Sequence, residues 1–143
     1  MRLLRGCAHE QGDDEGTALL LTIGYAILAL ALVLVCVDAT SLYVAQKRAD
    51  AVADAAALAG ADGFTLDVRD GEAVARLTDE GVREQAVAVV TEFGDARLMR
   101  ADTPDGSSAR VTVRVQWHPP VLSVFVPGGV TIDATATTRT ALA

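Results

Sequence analysis

The sequence predicts an α+β protein: a long N-terminal transmembrane helix that extends out of the membrane, followed by a small head with one helix and about three antiparallel strands. Three observations predict this class. Residues 17–37 form an uncharged apolar run, and no proline or glycine interrupts the chain from Tyr25 to Ala59. Beyond Gly63, short alternating apolar segments are separated by turn residues, which is typical of strands.

The run from Thr17 to Val37 has the length and composition of a membrane anchor. It contains twelve Leu, Ile and Val residues and no charge. As an α-helix it spans roughly 31 Å, which matches the hydrocarbon core of a bilayer. A buried core helix is the alternative, but the rest of the chain is too small and too polar to enclose it. The run therefore predicts a single pass through the lipid bilayer.

A cleaved signal peptide is a further alternative, because Val37-Asp38-Ala39 offers small residues for cleavage. The apolar run is longer than the usual stretch of about 7–15 residues, and acidic residues precede it where a signal peptide carries positive charge. These two features favour an uncut anchor.

The lengths of the two flanking segments predict the organisation on either side of the anchor, whereas their basic residues are evenly divided, with Arg2 and Arg5 before it and Lys47 and Arg48 after it. We expect a short cytoplasmic tail at 1–16, a transmembrane and extended helix at 17–60, and an extracytoplasmic head at 61–143, because a long C-terminal part after one anchor is usually translocated. From Asp38 onward the chain carries fifteen acidic and ten basic residues. This net negative charge repels phosphate backbones and argues against nucleic-acid binding.

The helix is predicted to continue to Ala59, with Gly60 and the Asp62-Gly63 pair ending it. Small residues recur along one face at helical spacing, which lets another helix approach closely. Two partners remain open for this face: a helix of another copy or of another subunit, and the chain's own head. The possible helix-packing face comprises Ala45, Ala49, Val52, Ala53, Ala56 and Ala59.

The head contains one further helical pattern and three strand patterns. Thr78-Asp79 is a capping signal for a helix through Phe93, with Gly94 after it. Val82, Ala86, Val89, Val90 and Phe93 form the predicted buried face. The predicted strands are Arg97–Ala101, Arg110–Trp117 and Val130–Thr140, and the apolar run Val121–Val126 between the last two suits a strand or a short helix.

No residue pattern in the chain predicts catalysis, a metal site or a cofactor. Asp102 and Asp105-Gly106 resemble the start of a calcium loop, but Val113 stands where the loop needs an acidic residue. His118 has no partner at metal-ligand spacing, and Ser107-Ser108 has no base nearby. Asp38, at the membrane edge, suits contact with headgroups or with a cation of a neighbouring subunit.

The first two fifths of the chain resemble the Flp pilus-assembly TadE/TadG-like proteins. The resemblance lies in the Asp14-Glu15-Gly16-Thr17 start, the uncharged anchor, the LYVAQKR step at 42–48 and the ADAAALA helix end at 53–59. It implies a minor pilin or envelope component of a tight-adherence (Tad) pilus or its secretion machinery. The implied partners are other Tad/Flp components, and the implied location is the cytoplasmic membrane of a bacterium.

The resemblance also implies a possible processing site. Members of the prepilin type are cut just after a glycine and carry glutamate five residues later. Gly16 and Thr17 fit the cut, whereas Leu21 stands in the position of the glutamate.

Three hypotheses about function follow. The first is a non-enzymatic single-pass component, minor pilin-like or an assembly protein, of a Tad/Flp pilus or secretion system. The second is a membrane-anchored binding or sensor module unrelated to pili, and the third is a protein secreted after cleavage at Ala39. A gene neighbourhood with a pilus ATPase and a prepilin peptidase separates the first from the others.

Overall fold

A computed structural model describes residues 11–69 and 71–139. Most of the predicted cytoplasmic tail and the strand end at Thr140 lie outside these residues. The chain divides after Val37 into two compact units, Met1–Val37 and Asp38–Ala143.

The first helix, α1, runs from Gln11 to Asp62. Its part from Gly16 onward is long and apolar enough to cross a membrane by length and composition, with a mean hydropathy of 2.8 over its most apolar window and none of that window buried. The prediction that the Asp62-Gly63 pair ends the helix is confirmed, because α1 ends at Asp62, whereas Gly60 lies inside the helix. A methyl group on Gly60 would lie only 3.0 Å from Cγ1 of Val82, so close packing accounts for the glycine.

The unit from Asp38 to Ala143 confirms the predicted α+β class. A second helix, α2 (Asp79–Glu92), is accompanied by two antiparallel sheets. The first sheet is the hairpin of β1 (Thr65–Arg69) and β2 (Glu72–Arg76). The second has the order β3-β4-β5, formed by Ala96–Asp102, Ser108–Trp117 and Val130–Arg139.

The three-stranded sheet follows the predicted alternation. β4 pairs with β5 without interruption from Ser108–Arg139 to Trp117–Val130, whereas the pairing of β3 with β4 shifts register between Leu98 and Arg100. The run predicted at 121–126 forms a 3₁₀ turn, Leu122–Val124, between β4 and β5. One face of β4 and β5 is buried or half-buried; its residues are Val111, Val113, Val115, Trp117, Ile132, Ala134, Ala136 and Thr138.

The core of the head lies between α1, α2 and this sheet. It joins Ala49 and Val52 of α1 to Val82 of α2 and to Val111 and Val113 of β4. Four of the five residues predicted for the inner face of α2 are buried or half-buried. Phe93 is the exception: it caps the C-terminus of α2 and is 46% exposed.

Side-chain oxygens fix the start of α2. The Thr78 hydroxyl accepts a hydrogen bond from the Gly81 amide at 3.2 Å, as the capping signal predicts. Asp79 in the first turn accepts the amide of Thr103 at 2.8 Å, which ties the helix to the β3–β4 turn.

Asp105 holds the β3–β4 turn together. Its carboxylate accepts the amides of Ser107 and Ser108 at 3.0 and 2.6 Å and the Ser108 hydroxyl at 2.9 Å. These hydrogen bonds, first that of the Ser107 amide, lower the pKa of Asp105 to about 2. The aspartate therefore acts as a turn residue rather than as a calcium ligand.

The lowered pKa of Asp105 predicts a pH dependence of stability. In the unfolded chain this carboxyl binds its proton near its ordinary pKa, so the folded state loses the stabilisation as the pH falls from about 4 to about 2. We expect Asp105→Asn to flatten the fall in the free energy of unfolding over this range. Chemical unfolding of the full chain in detergent micelles, followed by fluorescence, measures it. Glu92→Gln, which removes none of these hydrogen bonds, is the control, and an Asp105→Asn profile as steep as that of the unmodified chain contradicts the assignment.

Candidate functional site

The predicted packing face of α1 lies largely against the chain's own head. Ala49, Val52, Ala53 and Ala56 are buried in the core, while Ala45 and Ala59 are half-buried. The head is therefore one partner of this face, as one of the two alternatives expected. A contact between copies through the same face stays a prediction.

Strand β4 runs alongside α1 in the opposite direction. Near its beginning, Ala109 faces Gly60, where a methyl group built on the glycine would lie 3.3 Å from its Cβ. At its end, the indole Nε1 of Trp117 donates to the hydroxyl of Ser41 at 3.1 Å. The helix rises about 29 Å between residues 41 and 60, and the strand covers about 27 Å between its two contacts. β4 therefore brings the chain back to the part of α1 that follows the apolar run.

Asp38 binds the segment that leaves β4. Its Oδ1 accepts the backbone amide of Val121 at 3.1 Å, and the residue is only 6% exposed. The expectation that this carboxylate reaches headgroups or a neighbouring subunit is wrong for Oδ1, because the head itself supplies the donor. The other oxygen, Oδ2, is buried without a hydrogen-bond partner among the described residues.

Residues 121–126, here called the apolar loop, form an exposed hydrophobic surface next to Asp38. Val124 and Phe125 are 84% and 80% exposed, although both are apolar. Backbone hydrogen bonds from Phe125 and Val126 to the Leu122 carbonyl, at 2.9 and 3.0 Å, hold the turn. Large apolar side chains held in solvent by an ordered turn are typical of interaction surfaces.

The turn after the apolar loop is equally well fixed. Gly129 has a φ of 65° and its amide donates to the Val126 carbonyl at 3.1 Å. The Gln116 side chain donates to the Gly128 carbonyl at 2.7 Å. The positive φ explains the glycine at position 129, because residues with a Cβ rarely adopt it.

A groove lies between α1, the C-terminal end of β4 and the residues that follow α2. Its volume is about 670 Å³; Val44, Phe93 and Trp117 contribute to its apolar wall, and Arg48 and His118 are among its polar residues. This volume falls within the range of small-molecule sites. The groove has the character of a binding surface, because the side chains that line it are chiefly apolar.

The remaining candidate residues are engaged in structural contacts. Asp102 binds Arg110 at 2.9 Å and Arg100 at 2.7 Å, and chiefly the hydrogen bond from Arg110 lowers its pKa. Ser108 is buried against Asp105. Within residues 11–69 and 71–139, no three His, Cys, Asp or Glu side chains are grouped to hold a metal ion.

The predicted processing site lies within a helix. Gly16 and Thr17 are exposed residues of α1, and Leu21, in the position of the family's glutamate, is exposed on the same helix. Cleavage after Gly16 stays a prediction.

A long exposed apolar helix that continues into an α+β head defines a membrane-anchored protein. Residues 16–63 match the family model of Tad, described as putative Flp pilus-assembly TadE/G-like. The match begins in the apolar part of α1 and ends one residue beyond the helix, so the resemblance is confirmed for the helix. No curated protein and no solved structure matches the chain.

Proposed function

We propose that the protein is a non-enzymatic, single-pass component, minor pilin-like or an assembly protein, of a Tad/Flp-type pilus or secretion system. The observation that carries this proposal is the match of residues 16–63 to the Tad family, which coincides with the membrane-span-like helix. The helix supplies retention in the cytoplasmic membrane, and the head meets other Tad/Flp components outside it.

The contacts within the head support a structural role. The side chains with the chemistry of catalysis or metal binding, such as Asp102 and Asp105, are held by arginines and by turn amides. The groove and the apolar loop expose chiefly apolar surface, which suits binding to other molecules rather than reaction with them.

A deletion strain and cross-linking in the native membrane test the proposal together. We expect deletion to abolish assembly of the Tad pilus or its secretion, and the full-length chain to restore it. A photo-reactive residue in place of Tyr43, an exposed position on α1, should capture identified Tad/Flp components. The same photo-reactive residue in place of Val87, exposed on α2, is the control that shows whether capture depends on the position of the cross-linker. Normal pili in the deletion strain, together with no Tad/Flp component cross-linked at Tyr43, would overturn the proposal.

The groove favours a second candidate, a membrane-anchored binding module unrelated to pili. Its apolar wall and volume fit an apolar ligand. This candidate predicts normal pili in the deletion strain. It also predicts that an apolar ligand protects a cysteine at the groove position, Ala51→Cys, from thiol labelling.

A further inference from the structure

We propose that the apolar loop, residues 121–126, inserts into the interfacial layer of the bilayer where the apolar run of α1 ends. This second contact would hold the head against the membrane surface. The inference rests on the membrane anchoring proposed above and adds a lipid-binding surface to it.

The position of the apolar loop, beside the end of the apolar run, supports its insertion into the interfacial layer. Asp38 is the residue directly after Val37, the last residue of the apolar run, and both belong to α1. The hydrogen bond from the Val121 amide to Asp38 therefore fixes the start of the loop beside the first residue after the apolar run. The contact between Trp117 and Ser41 lies one helical turn further out.

The uncharged, apolar composition of the loop also supports insertion. The chain has no charged residue from Pro119 to Ile132, whereas the head as a whole is acidic. Among the described residues of the head, Val124 and Phe125 are the most exposed large apolar ones. An acidic head without a basic cluster is not attracted to anionic lipid, so apolar insertion accounts for the contact and electrostatics does not.

The backbone of the loop limits the depth of insertion. The 3₁₀ turn satisfies the amides of Phe125 and Val126, but an irregular loop leaves some carbonyls without partners, and these are costly in hydrocarbon. The aromatic ring and the valine side chain therefore reach the boundary between headgroups and acyl chains, while the backbone stays hydrated.

Fluorescence quenching in vesicles tests the inference. The full chain, with Cys7→Ala and Cys36→Ala, is reconstituted at about one chain per phosphatidylcholine vesicle and labelled with an environment-sensitive fluorophore at Phe125→Cys. Pro104→Cys, exposed in the turn at the opposite end of β4, is the matched control. Leu28→Cys, within the apolar run, reports whether the anchor itself is in the bilayer.

We expect the label at position 125 to be quenched by nitroxides placed near the lipid headgroups. Quenching by aqueous iodide should be at least about threefold weaker there than at position 104, as insertion of a side chain requires. A label equally open to iodide at both positions overturns the inference. Protection from iodide without quenching by lipid nitroxides also overturns it, because the loop is then covered by protein.

Labels at two further positions distinguish a failure of loop insertion from a failure of the proposed membrane anchoring. Val124→Cys, at the neighbouring exposed position, should give the same pattern as Phe125→Cys. If the label at position 28 is not quenched by lipid nitroxides, the proposed anchoring has failed. If position 28 is in lipid and positions 124 and 125 are in water, the loop inference alone is wrong.

Discussion

Replacing Ala49 by leucine is expected to lower the free energy of unfolding of the head by about 1–3 kcal/mol. Ala49 has no exposed surface and belongs to the core formed by α1, α2 and the three-stranded sheet. Three additional carbon atoms have no room there. Helix propensity does not account for the loss, because leucine is nearly as good a helix former as alanine.

The same substitution at Ala51 is the matched control. Ala51 lies two residues further along α1, is exposed and faces the groove, so a leucine side chain has space there. Trp117 is the only tryptophan of the chain and contacts α1, which makes its fluorescence a direct reporter of the head on the helix. Equal stabilities of Ala49→Leu and Ala51→Leu in detergent micelles would contradict the packing described here.

The Ala49→Leu variant also bears on contacts between copies. If the face packs on the head alone, we expect Ala49→Leu to destabilise the head and to leave the cross-linked ladder of oligomers in native membranes unchanged wherever the chain still folds. Loss of the ladder at unchanged stability of the head would instead support contact through this face. Asp50→Leu, on the neighbouring polar side of the helix, keeps the ladder under either arrangement.

Elements with a clear hydrophobic period could be predicted from the sequence. The alternation of valines in β4 and of Ile132, Ala134 and Ala136 in β5 arises because one face of the sheet is buried and the other is in solvent. Thr78 marked the start of α2, since its side chain and the extended backbone at this residue form the cap.

The hairpin of β1 and β2 could not be predicted from an apolar period. Leu66 and Val68 are two residues apart and lie on the same face of β1, but both are exposed. Burial therefore imposes no apolar pattern on this strand. Backbone pairing holds this hairpin, and backbone hydrogen bonds leave little trace in the choice of side chains.

The candidate site was only partly visible in the sequence. The run Val121–Val126 was recognisable as apolar, but its exposure depends on the β4–β5 pairing and on the bond between Val121 and Asp38. Residues 38 and 121 are far apart in the chain, and neither has a local pattern that specifies the other. The groove likewise forms from three elements whose contacts are set by tertiary packing.

The second prediction concerns the accessibility of the head and of the N-terminal segment to a reagent that cannot cross the membrane. Each segment is either fully accessible or fully protected, so the expected difference is large. We expect the N-terminal segment in the cytoplasm and the head outside, because a long C-terminal part after one anchor is usually translocated. Cys7 provides a natural probe of the N-terminal segment, and Glu84→Cys provides a probe on the exposed side of α2. Cys36, within the apolar run, is replaced by alanine in both variants, and Cys7 by alanine in the second.

Labelling of these two thiols in intact spheroplasts with a membrane-impermeant maleimide, read as a mass shift of the full-length chain, tests whether the chain spans the membrane uncut with its head outside. We expect Glu84→Cys to be labelled before lysis and Cys7 only after lysis, with both thiols on a chain that still contains residues 17–37. A head labelled only after lysis, or a mature chain that begins at Thr40 and has lost Cys7, would contradict it.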